Sequence, residues 1–163
     1  YGDGESVDSK WGNVIGIWRS QVSENKPITI VGDGEQRRDF THVIDIVDGL
    51  CKIMYNNIKH EDAWELGTGI NYSVNELADM FVNKFGCEKK YIPDQKGNYR
   101  ATLRENLDAV ECLGWEPKDR LKEHIDNLDK NRICLDISDF IPGMYLLKVN
   151  LKDKFAIRKI DKY

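Results

Sequence analysis

Arg37 and Arg38 are the residues of this chain whose type and setting best suit chemistry. They lie in the run Pro27-Ile28-Thr29-Ile30-Val31-Gly32-Asp33-Gly34-Glu35-Gln36-Arg37-Arg38-Asp39-Phe40-Thr41-His42-Val43. A β-type segment enters a Gly-Asp-Gly turn, and the arginines open a second extended segment. A guanidinium forks two N–H bonds onto a phosphate, and a strand leaving a glycine turn fixes where the fork points. Gly32 and Gly34 permit backbone angles that residues with a β-carbon avoid. Two readings follow from these residues alone: a phosphate clamp, or a β-hairpin with a solvated charged tip.

The elements that must position this turn alternate along the chain. The run 14–22 carries Val14, Ile15, Ile17, Trp18 and Val22, which suits a helix packed on one side. Residues 28–31 read as a strand, and 44–55 have helical periodicity ending at Asn56-Asn57. Residues 63–66 read as a buried strand running into a Gly67-Thr68-Gly69 turn whose main use is close chain packing. Ser73-Val74-Asn75-Glu76 has the form of a capping box. It opens a helix to Phe85 with Val74, Leu77, Ala78, Phe81, Val82 and Phe85 on its apolar face, stopped by Gly86. A short strand is expected over 89–93, a helix over 107–113 stopped at Gly114, Trp115 as a core anchor before Pro117, and a last helix over 121–128. This alternation is that of an α/β domain.

The chain has 163 residues, 40% of them hydrophobic, a formal charge of −4 and a pI near 5.4. That length holds one modest domain with a real core, and the acidic balance argues against nucleic acid or a membrane surface as partner. No apolar run approaches the roughly 20 residues of a membrane helix, and no basic-then-apolar leader opens the sequence. Cys51, Cys87, Cys112 and Cys134 stand far apart, so reduced core thiols and no metal site are expected, with Cys51 and Cys112 inside helical apolar patterns. His42, His60 and His124 are scattered, which favours structural or surface positions over ligation or catalysis.

Four motifs in order resemble one family. Lys26 to Val43 is similar to the Lys-Pro-Ile-Thr-Ile-x-Gly-Asp-Gly-x-Gln-x-Arg-Asp-Phe-x-x-Val stretch of NAD-dependent sugar-nucleotide epimerases and dehydratases, the extended short-chain dehydrogenase/reductases that include the UDP-glucose 4-epimerases. Trp64 to Gly69 resembles their Asn-Ile-Gly-Thr-Gly segment, Ser73 to Ala78 their Ser-Val-x-Glu-Leu-Ala helix, and Leu113 to Pro117 their Leu-Gly-Trp-x-Pro segment. Tyr1-Gly2 resembles the tail of their Asn-Val-Tyr-Gly stretch.

The resemblance implies an α/β, C-terminal substrate-binding part of a Rossmann-type enzyme over 1–130, whose partner is a nucleotide-diphosphate sugar. It implies that Arg38 contacts the substrate pyrophosphate, while Arg37 occupies a variable position and is expected to be solvated. Where the family has Arg-x-Gly-Asp, this chain reads Gln95-Lys96-Gly97-Asn98. Lys96 then offers a point charge, Asn98 a hydrogen bond to a hydroxyl, and Arg100 a second phosphate contact. NAD or NADP is expected for the complete enzyme, bound mainly by an N-terminal Rossmann half; a homodimer is a further expectation.

That half is not in this sequence, which has no Gly-x-x-Gly-x-x-Gly turn. Tyr55-Asn56-Asn57-Ile58-Lys59 has the Tyr-x-x-x-Lys spacing of the catalytic pair, but it lies after the Arg-Asp-Phe segment, whereas the family's pair lies before it. It is rejected as catalytic. The chain is therefore expected to be a fragment with its catalytic half before Tyr1.

Composition changes near Lys130: of the chain's 24 basic and 28 acidic residues, only 7 and 4 fall in 131–163, with no glutamate. Apolar runs at 133–137, 144–149 and 155–160, separated by turn-like segments, predict a small antiparallel β tail. Asp136-Ile137-Ser138, Gly143-Met144-Tyr145 and Arg158-Lys159-Ile160 resemble the C-terminal sorting segment of type IX secretion. Export conflicts with a cytoplasmic nucleotide sugar, so the expectation is a cytoplasmic enzyme fragment with an extra β tail, or a fused reading frame. The alternative is a non-catalytic nucleotide-sugar or interaction module with a sorting tail.

Overall fold

The computed structural model describes residues 1–5, 12–95, 97–129, 143–151 and 154–162. The chain divides into two units, Tyr1–Arg132 and Ile133–Tyr163. The first unit contains α1 (Val14–Ser23), β1 (Ile28–Val31), β2 (Arg37–Asp39), α2 (Val43–Asn56), β3 (Asn71–Ser73), α3 (Val74–Phe85), β4 (Lys89–Ile92), α4 (Asp108–Leu113) and α5 (Leu121–Asn127). The second contains β5 (Gly143–Leu151) and β6 (Lys154–Lys162), paired antiparallel from Gly143↔Lys162 to Leu151↔Lys154. The apolar run 133–137, the Asp136-Ile137-Ser138 segment and Cys134 lie outside the described residues.

β1 pairs parallel with β4, Ile28 opposite Lys89 and Val31 opposite Ile92, and β2 pairs antiparallel with β3, Arg38 opposite Tyr72. The Gly-Asp-Gly turn is therefore no hairpin tip, since its two strands belong to different sheets. β3 escapes the sequence pattern because it is three polar-leaning residues long, too short for alternation to register.

The main core joins α1, β1, α3 and α5 through Ile15, Trp18, Ile28, Leu77, Phe81 and Ile125, among others. Trp18 is fully buried, meets Phe81 edge-on at 5.3 Å and donates its indole N–H to the Thr29 carbonyl at 2.7 Å, which satisfies its single donor. The capping box forms as the sequence requires: the Ser73 hydroxyl accepts from the Glu76 N–H at 3.0 Å, and the Ser73 N–H donates to the Glu76 carboxylate at 2.6 Å. Gly86 ends α3 at φ 64°.

A second, smaller core packs Ala109, Leu113 and Trp115 against Ile53, Trp64 and Leu66. Trp115 is fully buried and donates to the Asp45 carbonyl at 2.8 Å.

Two expectations are corrected here. Residues 63–66 form no strand: among the described residues their main chain bonds to no other main chain, and Trp64 and Leu66 pack on the Trp115 cluster. Cys51 and Cys112 are exposed rather than core residues, and Cys87 is half-buried. Cys51 sits on the face of α2 turned away from the Trp115 cluster, so the apolar pattern around it does not report burial within this unit.

Candidate functional site: the glycine turn and its arginines

The turn between β1 and β2 is held in shape by α3. Gly32 and Gly34 have φ of 66° and 75°, in the left-handed region that glycine enters without steric cost. A β-carbon on Gly34 would sit 2.2 Å from Asn75 Oδ1. Asn75 fills that space: its backbone N–H donates to the Gly34 carbonyl at 2.9 Å, and its side-chain amide donates to the Asp33 carbonyl at 3.0 Å and to Glu35 at 2.5 Å. The first turn of α3 thus sets where β2 begins.

Arg37 is partly exposed but tied by its guanidinium to neighbouring elements, where the sequence reading had it simply solvated. Its guanidinium donates to Asn71 Oδ1 and the Asn71 carbonyl, both at 2.8 Å, and pairs with Glu76 at 3.0 Å. The Ser73 N–H above all, helped by the Arg37 charge, holds the Glu76 carboxyl below the usual range against the opposing effect of burial. Arg37 is a tie between β2, β3 and the start of α3.

Arg38 points elsewhere. Its Nη1 donates to the Arg37 carbonyl at 2.7 Å and its Nη2 to Asn98 Oδ1 at 2.6 Å. Among the described residues no carboxylate lies within ion-pair distance of it. A guanidinium has five donor hydrogens, so most of the fork stays available for an anion. Because Asn98 accepts through Oδ1, its NH₂ group is left as a further donor.

The loop 97–102 brings Asn98 there. Gly97 turns at φ 87°, the Arg37 N–H donates to the Arg100 carbonyl at 2.8 Å, and the Thr102 N–H donates to the Arg37 carbonyl at 3.1 Å. Arg100 is on the same loop, but its Nη1 is clamped on Asp33, at 2.9 and 3.0 Å from the two carboxylate oxygens. The Glu35 N–H and then Arg100 hold the Asp33 carboxyl below its ordinary value. Gln95 contributes main chain: its N–H donates to Asp94 and its carbonyl accepts from the Asn98 N–H. Lys96 lies outside the described residues. Gly32, Asp33, Gln36, Asp94, Asn98 and Arg100 line a hollow of about 210 Å³. Small-molecule sites usually enclose roughly 300–1,000 Å³, so this is a partial pocket. A roomier hollow, about 430 Å³, lies elsewhere, lined by His42, Arg120 and His124 among others.

Asp39 is a hub that the sequence reading overlooked. One carboxylate oxygen accepts from the Thr68 N–H at 2.9 Å, the Thr68 hydroxyl at 2.6 Å and the Thr41 hydroxyl at 3.2 Å; the other accepts from the N–H groups of Gly69 at 2.9 Å and Arg104 at 3.3 Å. Burial raises its pKa, but the Thr68 hydroxyl and the Gly69, Thr68 and Arg104 N–H groups outweigh that and hold it ionised below the ordinary carboxylate value. Gly67 needs to be glycine at this point: a β-carbon would meet Asp39 Oδ2 at 2.7 Å. Asp39 therefore locks the far end of β2 to the 67–69 turn, and is not the partner of Arg38. Its signal in the sequence was its place in the Arg38-Asp39-Phe40 motif.

Residues 1–67 match the NAD dependent epimerase/dehydratase family. The dTDP-4-dehydro-6-deoxyglucose reductase of Escherichia coli is 30% identical over 139 residues, 82% of this chain and 42% of that protein. The chain is a homologue of these NAD-dependent epimerases and dehydratases. Its fold agrees: the crystal structure of UDP-glucose 4-epimerase with UDP-glucose from Thermotoga maritima superposes with a TM-score of 0.69 at 30% identity, over 77% of this chain and 40% of that one. The UDP-glucuronic acid 4-epimerase of Bacillus cereus, in complex with UDP-glucuronic acid and NAD, gives 0.59 at 25% identity, over 66% and 35%. The chain spans about two fifths of such relatives and shares the α/β fold of these Rossmann-type enzymes over that span.

NAD finds no seat at this turn. A dinucleotide site aims a helix N-terminus at the pyrophosphate, whereas the turn after β1 leads into β2. Among the described residues no group of three His, Cys, Asp or Glu side chains could hold a metal ion, and no helix is long and apolar enough to cross a membrane.

Proposed function

We propose that the first unit is the nucleotide-sugar-binding part of an NAD-dependent sugar-nucleotide epimerase or dehydratase, in which Arg38 binds the substrate pyrophosphate. The observation that carries this is the Arg38 guanidinium itself. Its neighbours Arg37 and Arg100 are neutralised by Glu76 and Asp33, while Arg38 is held by two neutral acceptors and keeps its charge for a ligand. Asn98 orients the fork, and its amide reaches for a second oxygen or a ribose hydroxyl. Arg100 becomes a second phosphate contact when the ligand competes with Asp33. The solved relatives in complex with UDP-glucose and UDP-glucuronic acid support this substrate class.

On this reading NAD supplies hydride transfer at the sugar and is bound by a Rossmann half, which also carries the catalytic acid–base pair. The residues described here bind and orient. Nucleotide sugars being cytoplasmic, the reading makes the protein cytoplasmic as well.

Calorimetry with UDP-glucose, UDP, UMP and uridine tests the assignment. Affinity for UDP-glucose and UDP is expected to exceed that for UMP, with uridine weakest, because the arginine reads the diphosphate. Equal affinity for UDP and uridine would remove the pyrophosphate from the account.

A further inference from the structure

Arg104 is a second cation that no acid of the first unit pairs with. Its Nη1 donates to the Gly67 carbonyl at 3.1 Å, and its Nη2 lies over Gly69, 2.8 Å from where a β-carbon on that residue would be. Gly69 has φ 78°, so glycine serves twice at that position: it allows the turn and leaves room for the guanidinium. The Arg104 Nε is buried and has no hydrogen-bond partner. Among the described residues no carboxylate lies within ion-pair distance of this side chain.

The hollow beside Arg104 does contain acids, but their acceptor sites are taken. A space of about 260 Å³ is lined by Arg104 with Asp39, Thr41, Glu65, Gly67 and Thr102 among others. Asp39 is committed to Thr41, Thr68, Gly69 and the main-chain N–H of Arg104 itself. Glu65 accepts from the N–H groups of Glu105 at 2.9 Å and Asn106 at 3.2 Å. Both carboxylates are held by main-chain donors and neither turns to the guanidinium. What remains is a half-buried fork with a free arm, a shape that matches a carboxylate.

The position of this fork follows from the backbone. Arg37 forms a parallel bridge with Ala101, the Asp39 N–H donates to Thr102 Oγ1 at 3.3 Å, and the Arg104 N–H reaches Asp39, so the segment 101–104 runs alongside β2. An extended residue advances roughly 3.3 Å, which puts Arg104 on the order of 10 Å past the level of Arg37 and further along the strand than Arg38. A ligand whose pyrophosphate lies on Arg38 has its nucleoside on one side and its sugar on the other. The hollow at Arg104 has space for a single hexose-sized group.

We infer that Arg104 binds a carboxylate on the sugar, so that the substrate is a nucleotide-diphosphate uronic acid and not a neutral hexose. The inference rests on the reading under Proposed function, which supplies the pyrophosphate at Arg38. Arg104 then acts as a specificity residue: it adds affinity only for a sugar that carries a negative charge.

Calorimetry on the 163-residue chain with UDP-glucuronic acid, UDP-glucose and UDP tests this in the wild type, in Arg104→Ala and in Arg104→Gln. The wild-type chain is expected to bind UDP-glucuronic acid about tenfold or more tightly than UDP-glucose, the scale of one charge-assisted contact. Both substitutions are expected to abolish that preference while leaving the affinity for UDP within about twofold. Arg104→Gln keeps a donor for the Gly67 carbonyl without the charge, and decides the matter if Arg104→Ala does not fold. Equal wild-type affinity for the two sugars, or a preference that survives removal of the charge, would overturn the inference. A chain that binds UDP without preferring the uronic acid contradicts this inference alone; a chain that does not bind UDP contradicts the Arg38 reading and this inference with it.

Discussion

At the scale of residues, adjacent arginines of identical chemistry have different roles because of what their backbone positions face. Arg37 lies opposite Ser73 and is consumed by Asn71 and Glu76; Arg38 lies opposite Tyr72 and finds only the Arg37 carbonyl and Asn98. The sequence signalled Arg38 through its place before Asp-Phe, but it could not show the fate of Arg37, because Glu76 is 39 positions away. Asp39 supports both. Asp39→Ala leaves the N–H groups of Thr68, Gly69 and Arg104 without their acceptor, and urea denaturation is expected to show a loss of about 2–3 kcal/mol. Gly34→Ala meets both a positive φ and the Asn75 side chain, with an expected loss of at least about 1–2 kcal/mol in the same measurement.

At the scale of elements, α3 connects the core to the candidate site. Its inner face is locked by Leu77 and Phe81, and its N-terminus presents Ser73, Asn75 and Glu76 to the turn and to Arg37. Ser73→Ala removes one arm of the capping box and is expected to cost about 1 kcal/mol, read by thermal denaturation, with a smaller loss of ligand affinity through displaced Asn75. Helices α1, α2, α3 and α5 and strands β1 and β4 were legible because periodicity, a Ser-x-x-Glu box and stop glycines are local signals. The 63–66 segment and Cys51 were misread for one reason. Apolar pattern reports that a surface wants cover, not whether this chain supplies it. The loop carrying Asn98 and Arg100 was placed from motif likeness, and its contact with Arg38 comes from the 97–102 backbone bonds, which no local pattern encodes.

At the scale of the whole molecule, Tyr1, His42 and His124 form a cluster, with ring centroids 5.0 to 5.6 Å apart, that ties the start of the chain to α2 and α5. The His42 Nδ1 accepts from the Ile44 N–H and caps α2. Burial, more than any charge nearby, pushes both imidazoles below their ordinary value, while Asp45 and Asp3 oppose it at His42 and Glu5 and Asp3 oppose it at His124. A group whose folded pKa is depressed contributes its full stability above its unfolded pKa and loses it as pH falls from there through the folded pKa. Stability in urea is therefore expected to decline from pH 7.5 to 5.5, with a flatter decline in His124→Phe; an unchanged slope in that variant would assign the decline elsewhere. The central claim concerns the ligand, and one comparison tests it most directly: calorimetric titration of UDP-glucose into the wild-type chain and into Arg38→Ala. A charge-assisted phosphate bond is worth about 1.5–3 kcal/mol, so affinity is expected to fall by roughly 10- to 150-fold with the fold intact by circular dichroism. A folded Arg38→Ala that binds UDP-glucose within about threefold of wild type would contradict the account.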